Sequence, residues 1–221
     1  MRRLGNPDGG TPPSLQWEER AWASRAVLIG VDEVGRGPLA GPVVAAAAVF
    51  PIGLSPIAGV RDSKTLSAAR RAALVPQLLA QAIALAVSAA SVSEIDRLNI
   101  RVATALAMRR AIDRTLHRLG DPAPRHRVLL DGLPLPECGH AHDALVDGDS
   151  LCYSIAAAGI VAKEVRDRLM RRLAPRYPAY GWESNVGYGT DSHRRALLVR
   201  GPTPHHRRSF SPVSQLDLDL A

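Results

Sequence analysis

The segment from Val27 to Pro42 constrains the fold more than any other part of the chain. Its first residues, 27–31, form an apolar run that predicts a buried strand. The strand leads directly into two adjacent acids, Asp32 and Glu33, and then into a glycine-rich turn. Neighbouring carboxylates repel each other, and burial raises the cost of ionising both. A divalent cation bound by oxygen ligands would offset that cost, so we expect a metal site at this edge of a sheet.

Apolar runs and helical patterns follow one another along most of the chain, which is typical of an α/β domain. Further strands are predicted over residues 43–50, 83–89 and 128–130, and helices over residues 14–26, 68–82, 100–119 and 150–173. Ser67 and Asn99 are expected to cap two of these helices, and Pro76 is expected to kink or break one. The sequence therefore predicts a mixed central sheet flanked by helices, with a helical extension at its C-terminal end.

The 221 residues divide by composition into three parts. We expect a flexible N-terminal arm with a short helix over residues 1–25, a main domain over 26–200 and a tail over 201–221. The longest apolar stretch, residues 78–92, is too short to cross a membrane. Two cysteines provide no disulfide framework, which favours a reducing compartment. A cytoplasmic monomer that contacts no membrane is the expectation.

The balance of charges favours a polyanionic partner. The formal net charge is +7 and the isoelectric point is about 10.2, so nucleic acid is the partner we expect. Only two of the 28 lysines and arginines are lysines, Lys64 and Lys163. Lysine is a compact point charge suited to one phosphate oxygen. The alternative, that both lysines are chance survivors in an arginine-rich chain, stays open.

Other acids stand where they could join the first pair. Asp131 follows the predicted strand over 128–130, and Asp149 begins the predicted helix over 150–173, with Asp147 two residues earlier. If the strands are neighbours, these acids converge on one edge of the sheet, as a pair of Mg²⁺ ions would require. Taken singly, Asp131 also fits a turn and Asp149 also fits an N-cap.

The residues from Asp32 to Pro42, DEVGRGPLAGP, resemble the signature of the bacterial ribonuclease HII family. Further blocks of that family follow in the same order: Asp62-Ser63-Lys64, Leu130-Asp131-Gly132, Gly148-Asp149, Ala156 to Lys163, Arg166-Asp167 and Gly187-Tyr188-Gly189-Thr190. The resemblance extends from about Val27 to Phe210. It implies a ribonuclease H-like fold.

The family's activity would be endonucleolytic hydrolysis of RNA in RNA–DNA hybrids and of single ribonucleotides embedded in duplex DNA. The cut would fall 5′ to the ribonucleotide and leave a 3′-hydroxyl and a 5′-phosphate. By this resemblance Asp32, Glu33, Asp131 and Asp149 are the catalytic, metal-binding carboxylates, and two Mg²⁺ or Mn²⁺ ions act during turnover. Asp149 is preferred to Asp147 because it keeps the family's spacing to the following helix.

The same resemblance assigns residues that contact the substrate. Gly35, Arg36 and Gly37 would sense the 2′-hydroxyl, which separates RNA from DNA. Tyr188 would stack against the sugar that follows the ribonucleotide, and Lys64 would contact a phosphate.

Two other positions are not expected to contact the metal or its ligands. Lys163 would lie about 21 Å from Asp149 along a straight helix, so packing or a contact with distant backbone is expected. Gly159 stands where the family usually has serine, and we expect it to touch none of the metal ligands.

Two further motifs bear on functions other than catalysis, namely zinc binding and binding to a protein partner. Cys138, His140 and His142 resemble part of a zinc site, but no second ligand pair with suitable spacing follows, and we do not expect zinc. The segment from Gln215 to Leu220, QLDLDL, resembles peptides that dock on bacterial sliding clamps. A solvated, flexible end is the alternative for this segment.

Three other functions are alternatives to the ribonuclease. Another nuclease or strand-transfer enzyme on the same fold would cleave all-DNA duplexes. A non-catalytic, basic nucleic-acid-binding protein would show no magnesium-dependent turnover. A phosphatase for small substrates is the least compatible with the net charge of +7.

Overall fold

Five strands form one mixed sheet in the computed structural model, which describes residues 12–216. The strands are β1 (Val27–Val34), β2 (Val43–Val49), β3 (Ala84–Ala90), β4 (His126–Asp131) and β5 (Asp143–Leu145). Their spatial order is β3-β2-β1-β4-β5. Pairing is antiparallel among β1, β2 and β3, and parallel from β1 to β4 and from β4 to β5. The predicted mixed sheet is confirmed, with β5 as a short edge strand that the sequence did not indicate.

Helices cover both faces of the sheet and continue beyond it. They are α1 (Gln16–Ala23), α2 (Ala68–Gln81), α3 (Val92–Leu98), α4 (Ile100–Leu119), α5 (Gly148–Leu151), α6 (Tyr153–Leu173), α7 (Trp182–Asn185), α8 (Asp191–Arg200) and α9 (Val213–Leu216). Within residues 12–216, no helix has the length and apolarity that crossing a membrane would require.

Strand β2 lies between two hydrophobic layers because its side chains alternate between the faces of the sheet. Its odd-numbered residues from Val43 to Val49 pack with α4, and its even-numbered residues pack with α2 and α6. All seven residues of β2 are buried, and four of them are consecutive alanines. These small side chains let a helix lie close to the strand on each side.

The two predicted helix caps are observed, but α2 does not end at its internal proline. The side chain of Ser67 caps α2, and that of Asn99 caps α4, as expected. Of the kink or break expected at Pro76, the break is wrong, because α2 continues through this residue. Proline removes one N–H donor, while burial of Leu74 and Leu78 holds both halves of the helix on the sheet.

The single helix predicted over residues 150–173 is wrong near its start. Cys152 has an extended backbone (φ −119°, ψ 125°) and separates α5 from α6. Ser14 lies alongside this break: its N–H donates to the Leu151 carbonyl at 3.1 Å, and its carbonyl accepts from Tyr153 N–H at 3.1 Å. Because these groups bond to a residue far away in sequence, the chain changes direction between Asp149 and α6.

The C-terminal part of the described chain packs against the loop between β1 and β2. Arg207 N–H donates to the Leu39 carbonyl at 2.9 Å, and Gly41 N–H donates to the His205 carbonyl at 2.9 Å. Val213 is fully buried in a cluster that also contains Trp182. The three-part division of the chain stays a prediction, but residues 203–213 belong to the folded body.

Strand β1 and helix α6 meet at Gly30, and a substitution at this residue tests how closely they pack. A Cβ on Gly30 would lie 2.5 Å from Ser154 Cβ and 2.6 Å from Ile155 N. We expect Gly30→Ala to lower the free energy of unfolding by about 2–3 kcal/mol, since the two elements must move apart. Urea denaturation measures the change.

Ser88→Ala on β3 is the matched control. Ser88 is buried and its hydroxyl has no hydrogen-bond partner within the described chain, so its removal should cost little or nothing. Equal stability of the Gly30→Ala variant and the parent would contradict the close approach of β1 and α6.

Candidate active site

Strands β1 and β4 bring two acids to the same edge of the sheet. Because Val31 pairs with Leu130 in a parallel register, the next residues, Asp32 and Asp131, are neighbours. Asp149 reaches the same place from α5. One carboxylate oxygen from each of these three acids lies within 4.8 Å of the other two. We call Asp32, Asp131 and Asp149 the acidic cluster.

Burial and mutual repulsion make the acidic cluster costly to ionise. Asp32 is 5% exposed and Asp149 is 7% exposed. Burial, followed by the charges of Glu33 and Asp131, raises the pKa of Asp32 well above its usual value. Burial also raises the pKa of Asp131, and it raises the pKa of Asp149 to about 6. A divalent cation would relieve this repulsion, and carboxylates from three separate elements form a donor set that suits Mg²⁺ or Mn²⁺.

Main-chain N–H groups orient two of these carboxylates. Glu33 N–H donates to Asp32 Oδ1 at 2.6 Å, and Gly148 N–H donates to Asp131 Oδ1 at 2.8 Å. A Cβ on Gly148 would lie only 3.0 Å from Asp131 Oδ1. The glycine thus lets the start of α5 lie directly against β4, which places Asp149 beside Asp131. The neighbouring Asp147 is exposed and outside the acidic cluster.

Glu33, the fourth predicted acid, stands beside the acidic cluster rather than within it. Its Oε1 lies 3.3 Å from Nη1 of Arg36. Burial raises the pKa of Glu33, while the guanidinium of Arg36 opposes that shift. Glu33 and Asp131 nevertheless line one cavity, so Glu33 is within reach of a ligand bound there.

Lys64 provides a positive charge at the edge of the acidic cluster. Its Nζ lies 3.5 Å from Asp149 Oδ2 and 4.0 Å from Asp62 Oδ1. Burial opposes the charge on Lys64, but Asp149 and Asp62 raise its pKa overall. The side chain of Lys64 is 75% exposed, which leaves its ammonium group accessible to a substrate.

A cavity of about 190 Å³ opens beside these acids. Every predicted site residue except Asp149 lines it: Asp32, Glu33, Gly35, Arg36, Gly37, Lys64, Asp131 and Tyr188. Val34, Ser63 and Lys163 complete the lining. Residues separated by more than 150 positions in sequence therefore share one small surface.

Lys163 lies closer to the site than one straight helix implies, although its ion pair with Asp167 agrees with the packing expected for it. Lys163 lines the cavity, and its Nζ lies 5.9 Å from the centre of the Tyr188 ring and 2.8 Å from Asp167 Oδ1. A separation of about 21 Å requires one straight helix from Asp149 to Lys163. The break at Cys152 instead lets α6 cross the sheet beneath the cavity.

The expectation that Gly159 touches no metal ligand is wrong. A Cβ on Gly159 would overlap Oδ2 of Asp32. Because α6 has no side chain at this point, the carboxylate of Asp32 fits directly against the helix.

In the turn after β1, the structure requires glycine at position 35 but not at position 37. Gly35 has a φ of +92°, and a Cβ there would overlap the side chain of Arg166. Backbone conformation and packing therefore both demand glycine. Gly37 has no atom within 4 Å of the place where a Cβ would stand. Nothing in the protein itself explains the glycine at position 37, which lies on the cavity wall.

Cys138, His140 and His142 bond to one another and to neighbouring protein groups. Nδ1 of His142 lies 2.8 Å from the His140 carbonyl, and its Nε2 accepts from Leu135 N–H at 3.0 Å. His140 Nε2 lies 2.8 Å from Asp113 Oδ1. Cys138 Sγ lies 3.5 Å from His142 Nδ1. Both ring nitrogens of His142 are thus occupied within the loop.

Sequence reasoning missed Glu18, which fixes the start of α6. Glu18 is 1% exposed, and its Oε1 accepts from Ser154 N–H at 2.7 Å and from Ser154 Oγ at 2.6 Å. Cys152 Sγ donates to the same oxygen at 3.4 Å. No signal in the sequence separates Glu18 from the neighbouring Glu19, since the contact spans more than 130 residues.

The chain is similar to known proteins over most of its length. The family model described as Ribonuclease HII matches residues 29–213. A Ribonuclease HII of Synechococcus sp. (strain JA-3-3Ab) is 50% identical over 216 residues, covering 96% of this chain and 95% of the relative.

Solved structures share the fold at lower identity. Bst-RNase HIII in complex with Mn²⁺ matches with a TM-score of 0.68 and 22% identity, over 88% of this chain and 70% of that one. RNase HII in the PCNA:RNase HII complex from Archaeoglobus fulgidus matches with a TM-score of 0.65 and 23% identity, over 84% of this chain and 95% of that one. The ribonuclease H fold is thereby confirmed. The chain belongs to the ribonuclease HII family of metal-dependent ribonucleases.

Proposed function

We propose that this protein is an endoribonuclease that hydrolyses RNA in RNA–DNA hybrids and cuts single ribonucleotides embedded in duplex DNA. The cut falls 5′ to the ribonucleotide and leaves a 3′-hydroxyl and a 5′-phosphate. The observation that carries the proposal is the acidic cluster, whose oxygens lie within 4.8 Å of one another beside the glycine turn. The net charge of +7 supports a nucleic-acid substrate. Two unpaired cysteines support a reducing, cytoplasmic setting.

The residues proposed to hold divalent metal are Asp32, Asp131 and Asp149, with Glu33 as a fourth ligand. Their raised pKa values mean that the cluster gains stability when a cation shares its charge. When bound, two Mg²⁺ or Mn²⁺ ions would lower the pKa of the attacking water and stabilise the leaving 3′-oxygen.

Recognition of the ribonucleotide is assigned to the backbone of Gly35, Arg36 and Gly37. The 2′-hydroxyl is the group that separates RNA from DNA at a given position, and main-chain groups approach it closely only where no Cβ intervenes. The open space at Gly37, on the cavity wall, supports this assignment.

The rest of the substrate is assigned to side chains around the cavity. Tyr188 is 43% exposed, so its ring is available to stack on the sugar that follows the ribonucleotide. Lys163 lies near that ring and is fixed by Asp167, which supports a role in holding Tyr188 in place. Lys64 presents an exposed ammonium group to a phosphate beside the acidic cluster.

Asp131→Asn tests the proposed reaction. With a 5′-labelled DNA duplex that contains one ribonucleotide, the parent with Mg²⁺ should give a single cut 5′ to the ribonucleotide and leave all-DNA duplex intact. Because the substitution removes one ligand charge, we expect the rate to fall by about three orders of magnitude while substrate binding persists or tightens.

Asp147→Asn is the matched control for that experiment. Asp147 is exposed and lies two residues from Asp149 but outside the acidic cluster, so cleavage should stay near the parent rate. Absence of cleavage by the parent with either metal, despite salt-sensitive binding, would leave a basic binding protein and refute the enzymatic proposal. Cutting of all-DNA duplex would indicate a different nuclease.

Gly37→Ala tests the proposed contact with the sugar. The new methyl group meets no protein atom within 4 Å, so the thermal unfolding temperature should not change. It would occupy the space assigned to the ribose, and we expect KM for the single-ribonucleotide duplex to rise about ten-fold. Steady-state kinetics beside thermal unfolding measures both. An unchanged KM would remove Gly37 from the substrate contact.

A sliding clamp is the proposed protein partner, bound through the segment from Gln215 to Leu220. Most of this segment lies outside the described residues, which end at 216. The alternating leucines support the proposal, as does the PCNA complex of the Archaeoglobus fulgidus RNase HII.

The clamp proposal is tested by replacing Leu218 and Leu220 with serine. Retention on an immobilised bacterial sliding clamp should fall at least about ten-fold, because two apolar anchors are lost, while cleavage of free duplex persists. Ile52→Ser, at a 76% exposed isoleucine in the loop after β2, is the control and should be retained normally. Equal retention of the double variant and the parent would dismiss the clamp proposal.

A further inference from the structure

Arg207 binds the inner side of the turn that follows β1. It is fully buried, and all four of its side-chain hydrogen bonds go to main-chain carbonyls of that turn. Nη2 donates to Gly35 O at 2.5 Å and Nη1 donates to Arg36 O at 2.8 Å. Nε and Nη2 both donate to Gly41 O, at 2.9 and 2.8 Å. One guanidinium therefore joins the two ends of the turn.

Several contacts hold Arg207 itself in position. Its N–H donates to the Leu39 carbonyl, and its guanidinium lies 5.0 Å from the centre of the Phe210 ring. The carboxylate of Asp96 accepts from the N–H groups of Arg208 and Ser209 at 3.1 and 3.0 Å. The arginine is thus fixed before any substrate binds.

The direction of the bound carbonyls determines the direction of the neighbouring N–H groups. Across a trans peptide bond the C=O and N–H groups point in opposite directions. With the Gly35 and Arg36 carbonyls turned towards Arg207, the N–H groups of Arg36 and Gly37 point away from it. Neither N–H donates a hydrogen bond to the protein within residues 12–216. Both residues line the cavity.

We propose that Arg207 is a positioning residue for the discrimination between ribose and deoxyribose. By holding the Gly35 and Arg36 carbonyls, it presents the N–H groups of Arg36 and Gly37 to the 2′-hydroxyl of the substrate. This inference rests on the proposed function, in which the turn over residues 35–37 contacts that hydroxyl. Arg207 itself touches neither the substrate nor the acidic cluster.

The hydrogen bonds at position 207 require a guanidinium group, and a positive charge alone is not sufficient. Three carbonyls accept from three different nitrogens of a planar fork, which one ammonium group on a flexible stem cannot reproduce. Arg207→Lys therefore keeps the charge and loses the arrangement. It is the substitution of choice for testing the role of geometry.

The experiment measures binding in the Asp131→Asn background, where cleavage is suppressed. Kd is determined for a duplex with one ribonucleotide and for the same duplex made entirely of DNA. Arg207→Lys should raise Kd for the first about ten-fold and leave Kd for the second unchanged. An unchanged ratio of the two Kd values in a normally folded Arg207→Lys protein would overturn the proposal.

Arg71→Lys is the matched control. Arg71 is also buried and donates to main-chain carbonyls, those of Ser63 and Leu66, in the turn that carries Lys64. It also pairs with Asp167 at 3.0 Å, which links it to Lys163 and to the ring of Tyr188 that stacks on a sugar present in both duplexes. A phosphate contact does not distinguish RNA from DNA, so any loss of affinity should be equal for both duplexes. A selective loss for the ribonucleotide duplex in this control would also count against a specific role of Arg207.

Asp96→Ala keeps the test decisive if Arg207→Lys does not fold. Loss of the Asp96 carboxylate releases the segment that carries Arg207, so Kd should again rise for the ribonucleotide duplex alone. Unchanged discrimination in the Asp96→Ala protein would overturn the proposal. If the Asp131→Asn background already binds both duplexes equally, recognition of the 2′-hydroxyl by this turn fails as well, and that failure is visible before Arg207 is altered.

Discussion

Repulsion among three carboxylates is the constraint around which this structure is arranged. One carboxylate oxygen from each of Asp32, Asp131 and Asp149 lies within 4.8 Å of the other two. Burial raises the pKa of each carboxyl group. The cluster persists because its members belong to rigid elements: a parallel pair of strands supplies two of them, and a glycine contact brings up the third. The long hydrophobic layers on both faces of β2 provide the stability that keeps these like charges together.

Much of the acidic cluster could be predicted from the sequence, because an apolar run that stops at an acid indicates the end of a buried strand. The apolar run before Asp32 and the shorter run before Asp131 indicate two buried strands, and a parallel register makes their ends meet. Asp149 is different. Its place depends on Gly148 and on the turn at Cys152, whose cause is a pair of hydrogen bonds to Ser14. A partner almost 140 residues away leaves no periodic signal.

The same limitation explains the errors about α6. The expectation of about 21 Å for Lys163 follows one helix axis, and the expectation for Gly159 follows the family pattern, whereas both positions depend on what α6 crosses. The helix passes over β1, so Gly159 meets Asp32 and Lys163 meets Tyr188. Arg207 shows the same effect from the C-terminal end, where residues predicted as a tail hold the turn after β1. Long-range contacts of this kind connect the site to distant parts of the chain.

The contact of Glu18 with Ser154 bears on where the independently folding unit begins. The family model starts at residue 29, within β1, and a chain trimmed to that boundary would lack α1. The N–H group of Ser154, in the first turn of α6, would then lose its carboxylate partner, and Cys152 Sγ would lose its hydrogen-bond acceptor. Expression boundaries for this protein are therefore better set before Ser14, since α1 and the residues before it supply contacts to α6 that a boundary at residue 29 would remove.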